Sequence, residues 1–370
     1  MPYNLSKQRV PVDFILWKGI THDMDYNFKE KRIFLEDEAE KKNLELFLNN
    51  EGINLDKNLE YTVGIYESGK LAATGSFFKN TLRCLAVSFE YQGSGLMNKV
   101  VSHLMNEQYQ RGYTHIFVYT KCYAAKFFSD IGFYEITRID GLVVFMENKL
   151  NGIQRFTDEL SKSRVNGKAA AAIVMNANPF TLGHQYLVEK ASCENDVVHL
   201  FIVSEEASVI PFSVRYELIR QGTSHLKNVI LHETGSYIIS SSTFPSYFIK
   251  DDESVVSAHA NLDLNIFKKY IIPALGIKRR YVGEEPYCEV TKKYNDIMKE
   301  SLEKDGIECV VVPRLKIQGK AVSASEVRKC IRENRIEEIK NLVPETTYKY
   351  FKSEEAKTLI NKIINNKNRH

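Results

Sequence analysis

The chain has 370 residues, 44% hydrophobic and 26% charged, a length that predicts two or three domains, and its 9 prolines and 19 glycines are too few for a fibrous or low-complexity protein. The 50 basic and 47 acidic side chains leave a formal net charge of +3, so a nucleic-acid-binding protein, which concentrates basic residues on one surface, is not expected. The 6 cysteines lie far apart with no Cys-x-x-Cys pair, which argues against a disulfide framework or a thiolate zinc site and favours the reducing cytoplasm.

The first segment of the chain gives no sign of a membrane anchor. Residues 10–16 form an apolar run, but it is short and Asp13 interrupts it, whereas a membrane-spanning helix needs about 20 apolar residues. No small-residue cleavage site follows, and no later window is long and apolar enough to span a membrane. We therefore expect no targeting segment and no membrane partner.

The pattern of residues 1–150 predicts an α+β domain. Strands at 61–66 and 71–78 are joined by a glycine-containing hairpin turn, and a third strand follows at 83–89. A helix then opens after the glycine-rich loop at residues 92–96, and Gly112 stands where that helix should end. The remaining predicted elements are a helix at 37–49, a strand at 116–119, a helix at 124–130 and a last strand after Gly132.

A second block follows a polar connector at residues 151–167, which contains a predicted helix at 156–163. Strands alternate with helices in this block, and its first strand is apolar without alternation, as a central parallel strand should be. The alternation predicts a Rossmann-like, doubly wound parallel sheet over residues 168–350, with ligands at the carboxyl ends of its strands. The Lys- and Asn-rich residues 351–370 predict a solvated terminal tail or helix. The predicted strands are 169–175, 197–203, 229–232, 280–282 and 309–312, and the predicted helices are 185–192, 212–225, 264–272, 292–300, 325–333 and 336–342.

The strongest chemical signal is the heptapeptide Asn-Pro-Phe-Thr-Leu-Gly-His at residues 178–184, between the first strand of this sheet and the next helix. A tight turn in this position directs backbone N–H groups and a helix amino terminus at an anion, and Gly183 allows the anion to come close. Thr181 and His184 are three residues apart, so both side chains can face one phosphate and stabilise charge that builds on it. The same residues also suit an ordinary turn with a buried histidine. We predict catalytic roles for these two residues and nucleotide contacts from Asn178, Pro179, Phe180 and Gly183.

A second segment, Val-Ser-Ala-Ser-Glu-Val-Arg at residues 322–328, follows the last predicted strand and opens a helix. Ser323 and Ser325 can cap that helix and hold phosphate oxygens, and Arg328 can pair with the β and γ phosphates, although an ordinary capped surface helix fits as well. Together, Thr-Leu-Gly-His and this segment resemble the (His/Thr)-x-Gly-His and Ile-Ser-Ser-Thr-x-Val-Arg signatures of the nucleotidyltransferase superfamily, with Ala324 and Ser325 as departures. The resemblance implies attack on the α-phosphate of ATP and release of pyrophosphate.

Two further positions are similar to the same superfamily. Residues 281–285 stand at the end of the strand before last, where the resemblance implies that Gly283 and Glu284 contact the base or the substrate. Solvated loop carboxylates are the alternative interpretation. Arg215 is similar to an arginine on the second helix of the family, and an ordinary surface arginine fits equally well.

The glycine-rich loop of the first block resembles the pyrophosphate loop of the GNAT N-acetyltransferases, which binds coenzyme A through backbone N–H groups at a helix amino terminus. Met97 departs from the usual Gly or Ala, and Phe128 stands where a tyrosine often serves as general acid. Because phenylalanine cannot donate a proton, the resemblance implies a CoA-shaped binding cleft rather than a conventional acetyltransferase. A plain glycine turn is the alternative. The resemblance assigns this binding to Gln92, Gly93, Ser94, Gly95 and Leu96.

A GNAT-like domain followed by a nucleotidyltransferase domain resembles the citrate lyase ligase family over nearly the whole chain. The resemblance implies that ATP activates acetate as acetyl-adenylate, and that the acetyl group then passes to a thiol with release of AMP. This thiol belongs to a dephospho-CoA-derived arm on the acyl carrier subunit of citrate lyase, which the first domain would hold. The resemblance also implies Mg²⁺ bound through the phosphates. No two of the 9 histidines have the i, i+4 spacing of a helical metal site, so no metal site of the protein itself is expected. The matching segments are residues 73–76, 91–96, 119–121, 178–184, 237–240, 243–248, 282–286 and 323–328.

Two other functions stay open on the sequence alone. A nucleotidyltransferase of the pantetheine-phosphate or nicotinamide-mononucleotide adenylyltransferase type would keep AMP in its product, and the first domain would then have no role. An acetyltransferase that uses acetyl-CoA, with a non-catalytic second domain, would leave Thr181, His184, Ser325 and Arg328 without a role.

Overall fold

The computed structural model describes residues 27–204, 208–239, 244–247, 249, 252–286 and 288–365. The apolar run at residues 10–16 therefore lies outside the described residues, as do residues 240, 243 and 248 of two segments that resemble the family. In the described part of the chain, no helix combines the length and the apolar character needed to cross a membrane. The six cysteines are free thiols.

The first half of the chain forms a seven-stranded mixed sheet in the order β1-β2-β3-β4-β5-β7-β6. The pair β4 and β5 is parallel and the other neighbours are antiparallel, which confirms the predicted α+β class. The single last strand of the prediction is a hairpin of two strands, and the edge strand β1 was not predicted. The elements are β1 (Lys29–Arg32), α1 (Glu38–Asn50), β2 (Tyr61–Glu67), β3 (Lys70–Phe78), β4 (Thr81–Val87), α2 (Leu96–Gln110), β5 (Phe117–Thr120), α3 (Ala125–Asp130), β6 (Tyr134–Ile139) and β7 (Val143–Glu147).

Helix α2 packs against this sheet at a glycine. A Cβ placed on Gly75 of β3 would lie 2.5 Å from Val100 Cγ1 and 2.9 Å from Leu104 Cδ1. Both α2 residues are fully buried, so neither can move aside cheaply. Gly75 therefore sets how closely the helix that follows the 92–96 loop can approach the sheet.

The second half forms a five-stranded, entirely parallel sheet in the order β10-β9-β8-β11-β12. The chain runs outward from β8 to one edge and then returns to its other side, so the doubly wound class is confirmed. The elements are α4 (Gly152–Ser161), β8 (Ala170–Met175), α5 (Leu182–Glu194), β9 (Val197–Ile202), α6 (Phe212–Gly222), β10 (Val229–Glu233), α7 (Asp252–Ile266), α8 (Ile272–Leu275), β11 (Ile277–Gly283), α9 (Glu289–Lys304), β12 (Glu308–Val312), β13 (Lys316–Ile317), β14 (Lys320–Ala321), α10 (Ala324–Arg332), α11 (Glu345–Lys352) and α12 (Lys357–Asn365).

Residues 351–365 of the predicted tail are packed, contrary to the prediction of a solvated helix. Helix α12 places Leu359 and Ile363 in one core with Val327 and Ile331 of α10. Leu359 and Ile363 are four residues apart and share one helix face, an apolar stripe that the Lys- and Asn-rich composition conceals. The tail therefore supports the helix that begins after Ser323.

Buried side chains also join the two halves. Phe117 and Phe145 of the first sheet pack in one core with Leu262 of α7. Across the same boundary, Tyr237 Oη donates a hydrogen bond of 2.6 Å to Glu147 Oε2. The predicted domain boundaries stay a prediction, and α4 occupies the predicted connector.

Two buried histidines on neighbouring strands make the stability dependent on pH. His199 on β9 and His232 on β10 share a hydrogen bond of 2.9 Å between Nδ1 and Nε2. Burial lowers the pKa of each from 6.5 to about 4. Between these pH values the unfolded chain binds more protons than the folded chain. The two neutral histidines therefore cost the folded state nothing above pH 6.5, and the free energy of unfolding decreases as the pH falls toward 4.

We expect the free energy of unfolding to fall over this window by up to about 1.4 kcal/mol per pH unit for each histidine. Chemical denaturation at a series of pH values measures this slope. His199→Asn keeps an atom that can bond to His232 but cannot be protonated, so it should reduce the slope. His225→Asn, at an exposed histidine that bonds to Glu189, is the control. The same slope in His199→Asn and the parent protein would refute this origin.

Candidate active site

Thr181 and His184 form a reciprocal cap at the amino terminus of α5. Thr181 is the N-cap residue, and its Oγ1 accepts a hydrogen bond of 3.3 Å from the backbone N–H of His184. In return, His184 Nδ1 lies 3.1 Å from Thr181 N and 2.9 Å from Thr181 Oγ1. The two side chains that the sequence predicts at one phosphate therefore hold each other in place in the first turn of the helix.

This cap determines the chemical form of the His184 imidazole. Because Nδ1 accepts from the N–H of Thr181, the hydrogen of the neutral ring is on Nε2, which is then a donor. Burial and, to a smaller extent, the positive charge of Arg314 lower the pKa of His184 to about 4. In the free protein the imidazole is therefore neutral at physiological pH, with one N–H left for a ligand.

The second predicted segment caps α10 and contacts the first segment. Ser323 is the N-cap residue, and its Oγ accepts a hydrogen bond of 3.2 Å from the N–H of Glu326. Arg328 is only 5% exposed, and its Nη1 donates to the backbone carbonyl of Asn178, 150 residues away in sequence. Its Nη2 lies 3.4 Å from Ser325 Oγ. One guanidinium therefore connects the two segments that the sequence singles out.

The two segments also approach each other at Gly183. A Cβ placed on this residue would lie 3.4 Å from the carbonyl oxygen of Val322 and 3.6 Å from Thr181 Oγ1. A close neighbour of Gly183 is thus the backbone that leads to Ser323, and the anion contact expected at Gly183 stays a prediction. These are ordinary van der Waals distances, so a Cβ would also fit here, and the Gly183 backbone simply packs beside the segment that leads into α10.

A cleft of about 750 Å³ opens where the segments meet, at the point of the sheet where the strand order reverses between β8 and β11. Doubly wound sheets bind their ligands at this point, and the volume suits a nucleotide-sized ligand. The predicted site residues that line the cleft are Asn178, Thr181, Gly183, His184, Gly283, Glu284, Ser323, Ser325 and Arg328.

Two predicted nucleotide contacts lie in the core instead of the cleft wall. Phe180 is fully buried between the sheet and its helices, in a space that Gly222 leaves open, since a Cβ there would lie 2.5 Å from Phe180 Cε1. Its ring is nearly parallel to the His184 imidazole, with 6.0 Å between centroids. Pro179 is also buried, and neither residue lines the cleft. The predicted nucleotide contact of Phe180 is therefore corrected to a packing role beside His184.

An arginine that the sequence analysis missed lines the same cleft as the two caps. Arg314 lines the cleft, and its Nη2 donates to Glu285 Oε2 at 2.5 Å while its Nε donates to the carbonyl of Glu284 at 3.0 Å. It follows the carboxyl end of β12 by two residues, and ligands of this fold bind at the carboxyl ends of the strands. That position after a predicted strand is the signal by which the sequence could have identified Arg314 as a site residue. The backbone N–H of Glu284 donates to the carbonyl of Val312 at 2.8 Å. Hydrogen bonds therefore hold the turn at Glu284 and Glu285 both to the end of β12 and to Arg314.

Arg215 is buried, so the interpretation as a surface arginine is wrong. Its Nη1 donates to the carbonyls of Asn176 and Val203, each at 2.9 Å, and its Nε donates to the carbonyl of Ile210 at 3.1 Å. The carbonyls of Asn176 and Val203 follow the ends of β8 and β9, and the carbonyl of Ile210 precedes α6. Arg215 therefore holds together the backbone at one side of the cleft.

The glycine-rich loop lies outside this cleft. Gly93 and Gly95 have φ of +82° and +81°, and Gly95 is the N-cap of α2, where the structure shows no side-chain cap. Gln92, Gly93, Ser94 and Gly95 are exposed, whereas Leu96 is buried in the first core. None of the five lines the cleft, so the two predicted binding regions occupy different parts of the molecule.

Comparisons with known proteins bear on the whole chain. A family model described as the citrate lyase ligase C-terminal domain matches residues 170–351. A protein of Escherichia coli strain K12 described as citrate (pro-3S)-lyase ligase is 38% identical over 312 residues, which is 83% of this chain and 89% of the relative. A protein of Klebsiella pneumoniae with the same description is 37% identical over 325 residues, which is 86% of this chain and 95% of the relative.

Two solved structures resemble about a third of the chain, and only weakly. Escherichia coli ElaA is 12% identical with a TM-score of 0.29, over 33% of this chain and 99% of that chain. The ribosomal-protein-S18-alanine N-acetyltransferase from Escherichia coli is 19% identical with a TM-score of 0.26, over 32% of this chain and 92% of that chain. At these scores neither structure contributes to the assignment, which rests on the sequence relatives. On their similarity, the chain belongs to the citrate (pro-3S)-lyase ligase family.

Proposed function

We propose that this protein uses ATP to acetylate the thiol of the prosthetic arm on the citrate lyase acyl carrier subunit, releasing AMP and pyrophosphate. The observation that carries the proposal is the hydrogen bond from Arg328 to the Asn178 carbonyl, which joins the Thr181–His184 cap to the Ser323 cap at one cleft. Two helix amino termini at one cleft favour a polyanion such as a triphosphate. The description of the relatives as ligases of citrate lyase supports the choice of acceptor.

In the first half-reaction, an acetate oxygen attacks the α-phosphorus of ATP. The bond from that phosphorus to the oxygen of the leaving pyrophosphate breaks, and acetyl-adenylate forms. Negative charge builds on the leaving group, so catalysis depends on donors that are already in position. The N–H of His184 Nε2, the first-turn N–H groups of α5 and the guanidinium of Arg328 are the donors we assign to it, while Ser323 and Ser325 would hold phosphate oxygens.

Mg²⁺ enters this proposal as part of the substrate MgATP. In the ranges that the structure covers, no three His, Cys, Asp or Glu side chains are grouped to hold a metal ion. Glu285, at the edge of the cleft, is paired with Arg314. We propose that the ion binds through phosphate oxygens.

In the second half-reaction, the thiolate of the arm attacks the acetyl carbonyl carbon. The bond from that carbon to the phosphate oxygen breaks, AMP leaves, and the thiol proton passes to solvent. The arm derives from dephospho-CoA and contains a pyrophosphate, which suits the N–H groups at the start of α2. We propose residues 92–96 as its docking site. Because this is an acceptor site, Phe128 in place of a tyrosine is no obstacle.

Replacing Gly95 by valine should raise the KM for the carrier and leave the KM for ATP unchanged. A β-branched residue is strained at a φ of +81°, and its side chain would cover the N–H groups that we assign to the arm. Gly112→Val is the matched control, because Gly112 stands at the other end of α2 with a φ of +86° and also has open space around its Cβ position. Both variants should lose similar stability. An increase in the KM for ATP alone would reject the loop as the arm site.

The reaction itself is tested by ATP–pyrophosphate exchange and by AMP release. Exchange should require acetate and no thiol, whereas release of free AMP should require both acetate and the thiol carrier. An adenylyltransferase would keep AMP in its product, and an acetyl-CoA-dependent acetyltransferase would work without ATP, so either result would overturn the proposal.

We place the reaction in the cytoplasm, where the free cysteines would stay reduced.

A further inference from the structure

The cleft extends into a space between α7, β11 and α9 that the proposed phosphate contacts do not use. We call it the Arg280 lobe, after the arginine in its wall. Polar and apolar side chains share its other walls, and the apolar part suits a small ligand with a hydrocarbon part. The apolar lining residues are Ile238, Ile239, Val256, Val282 and Met298.

Arg280 is buried in this lobe with an unsatisfied donor. It lies on β11, is 4% exposed, and its Cζ is 4.2 Å from the centroid of the Phe267 ring. Nη1 has no hydrogen-bond partner among the residues that the structure describes. A buried cationic donor without a partner is unfavourable, so this atom marks a position that an anionic ligand would satisfy.

The polar groups around Arg280 are engaged with one another. Asp263 accepts hydrogen bonds from the N–H of Ile239 at 2.9 Å and from Tyr294 Oη at 2.6 Å. Burial and the charge of Asp263 raise the pKa of Tyr294, so its hydroxyl stays a donor. His259 Nε2 donates to the Ile239 carbonyl at 2.7 Å, and burial lowers its pKa. The Arg280 guanidinium also interacts with Tyr294, which opposes the rise in the pKa of that tyrosine, whereas Nη1 of the guanidinium has no hydrogen-bond partner in the described part of the chain. Nη1 is therefore the atom that we assign to a ligand.

We infer that the Arg280 lobe binds the short-chain carboxylic acid substrate. One carboxylate oxygen accepts from Arg280 Nη1, and the alkyl group lies against Val256 and Met298. The second oxygen keeps its lone pairs and attacks the α-phosphorus, because the lobe and the two caps line one cleft. The inference rests on the proposed function, to which it adds the position of the acid and the walls that limit its chain length.

Replacing Arg280 by methionine should raise the KM for acetate in ATP–pyrophosphate exchange by about 30-fold, the loss expected for a hydrogen bond to a charged group. The KM for ATP should not change. Arg279→Met is the matched control, because the adjacent arginine is half-exposed, pairs with Glu308 at 2.7 Å and does not line the cleft. An unchanged KM for acetate, or an equal rise in the KM for ATP, would overturn the assignment.

A second variant keeps the inference testable if Arg280→Met does not fold. Met298→Ala enlarges the lobe without removing a charge, so it should shift the preference from acetate toward butyrate. Unchanged selectivity in this variant would overturn the inference.

Direct binding separates the inference from the proposed function. Titration of the wild-type protein with 13C-labelled acetate in the absence of ATP, followed by NMR, should show binding that Arg280→Lys weakens. If acetate binds in this way but no acid supports exchange, the lobe assignment stands and the proposed reaction fails. If wild-type protein shows exchange but acetate binding and KM do not depend on Arg280, the reaction stands and the lobe assignment fails. If acetate neither binds nor supports exchange, both fail.

Discussion

Replacing His184 by alanine is expected to lower acetate-dependent ATP–pyrophosphate exchange by about 10²-fold or more. The reason is the chemical form of the imidazole: Nδ1 accepts from Thr181, so Nε2 carries the hydrogen that can stabilise charge on the leaving pyrophosphate. Since the pKa of His184 is about 4, the neutral donor is present throughout the neutral pH range. The loss should therefore appear in kcat and should not be confined to acidic pH.

Two near-isosteric variants separate the donor from the cap. His184→Asn places an amide at the Nδ1 position, where it can still accept from Thr181, but it has no donor at the Nε2 position. His184→Gln can place a donor near Nε2 but loses the bond from the N–H of Thr181 to the side chain at position 184. We expect His184→Asn to keep stability and lose exchange, and His184→Gln to lose about 1 kcal/mol of stability and keep more exchange. His225→Ala, at an exposed histidine paired with Glu189, is the control. Full exchange in His184→Asn would exclude the donor role.

The parts of the site that the sequence predicts are those that local rules determine. The turn after β8 and the cap before α10 each combine a strand end, an N-cap residue and a helix start within a few residues. Ser323 caps α10 as predicted, whereas Ser325, the other predicted cap, lies inside that helix. Thr181 caps α5, which the sequence analysis did not predict. The apolar first strand and the alternation of elements likewise predict the parallel sheet. The hydrogen bond from Arg328 to the Asn178 carbonyl could not be predicted from local sequence, because the strand order brings these two residues together.

The failures have a common physical cause, which is packing between distant segments. Phe180 belongs to a motif of apparent ligand contacts, yet its ring fills the space above Gly222, 42 residues further along the chain by sequence numbering. Arg215 lies in a helix where the sequence pattern also fits a surface arginine, yet its guanidinium donates to three backbone carbonyls. Burial of an arginine depends on partners that come together only in the folded chain. The same holds for Arg280, which lies in a strand that the pattern predicts correctly.

The tail shows how composition can mislead where periodicity would not. Residues 351–370 are rich in Lys and Asn, so their average character is polar. Leu359 and Ile363 nonetheless form a stripe on one face of α12, and that face is buried against α10. The hydrophobic period of a helix decides which face packs, whatever the mean composition. Because α10 presents Ser323 to the cleft, the tail contributes to the site through its support of that helix.

Replacing Arg328 by methionine is expected to have the other large effect, because this residue has two functions at once. Its guanidinium donates to the Asn178 carbonyl, and we propose that it also pairs with the triphosphate. The loss of kcat/KM for ATP should reach about 10²-fold to 10³-fold. The stability should fall by about 1–3 kcal/mol, since a buried carbonyl loses its donor. Steady-state exchange kinetics and chemical denaturation measure the two losses separately.

Further variants at the same helix divide these two functions. Arg328→Lys keeps a positive charge but cannot bond to Asn178 and Ser325 in the same fork geometry, so it should recover part of the ATP affinity and little of the stability. Arg332→Met, one helical turn further along α10 and outside the cleft lining, removes an arginine of the same helix and should leave the KM for ATP unchanged. Burial and the positive charge of Arg332 both lower the pKa of Arg328, so removing Arg332 should if anything favour the charged form of Arg328. A folded Arg328→Met protein with the parent KM for ATP would show that the guanidinium only joins the two segments, and the triphosphate would then have to be bound by the helix amino termini alone.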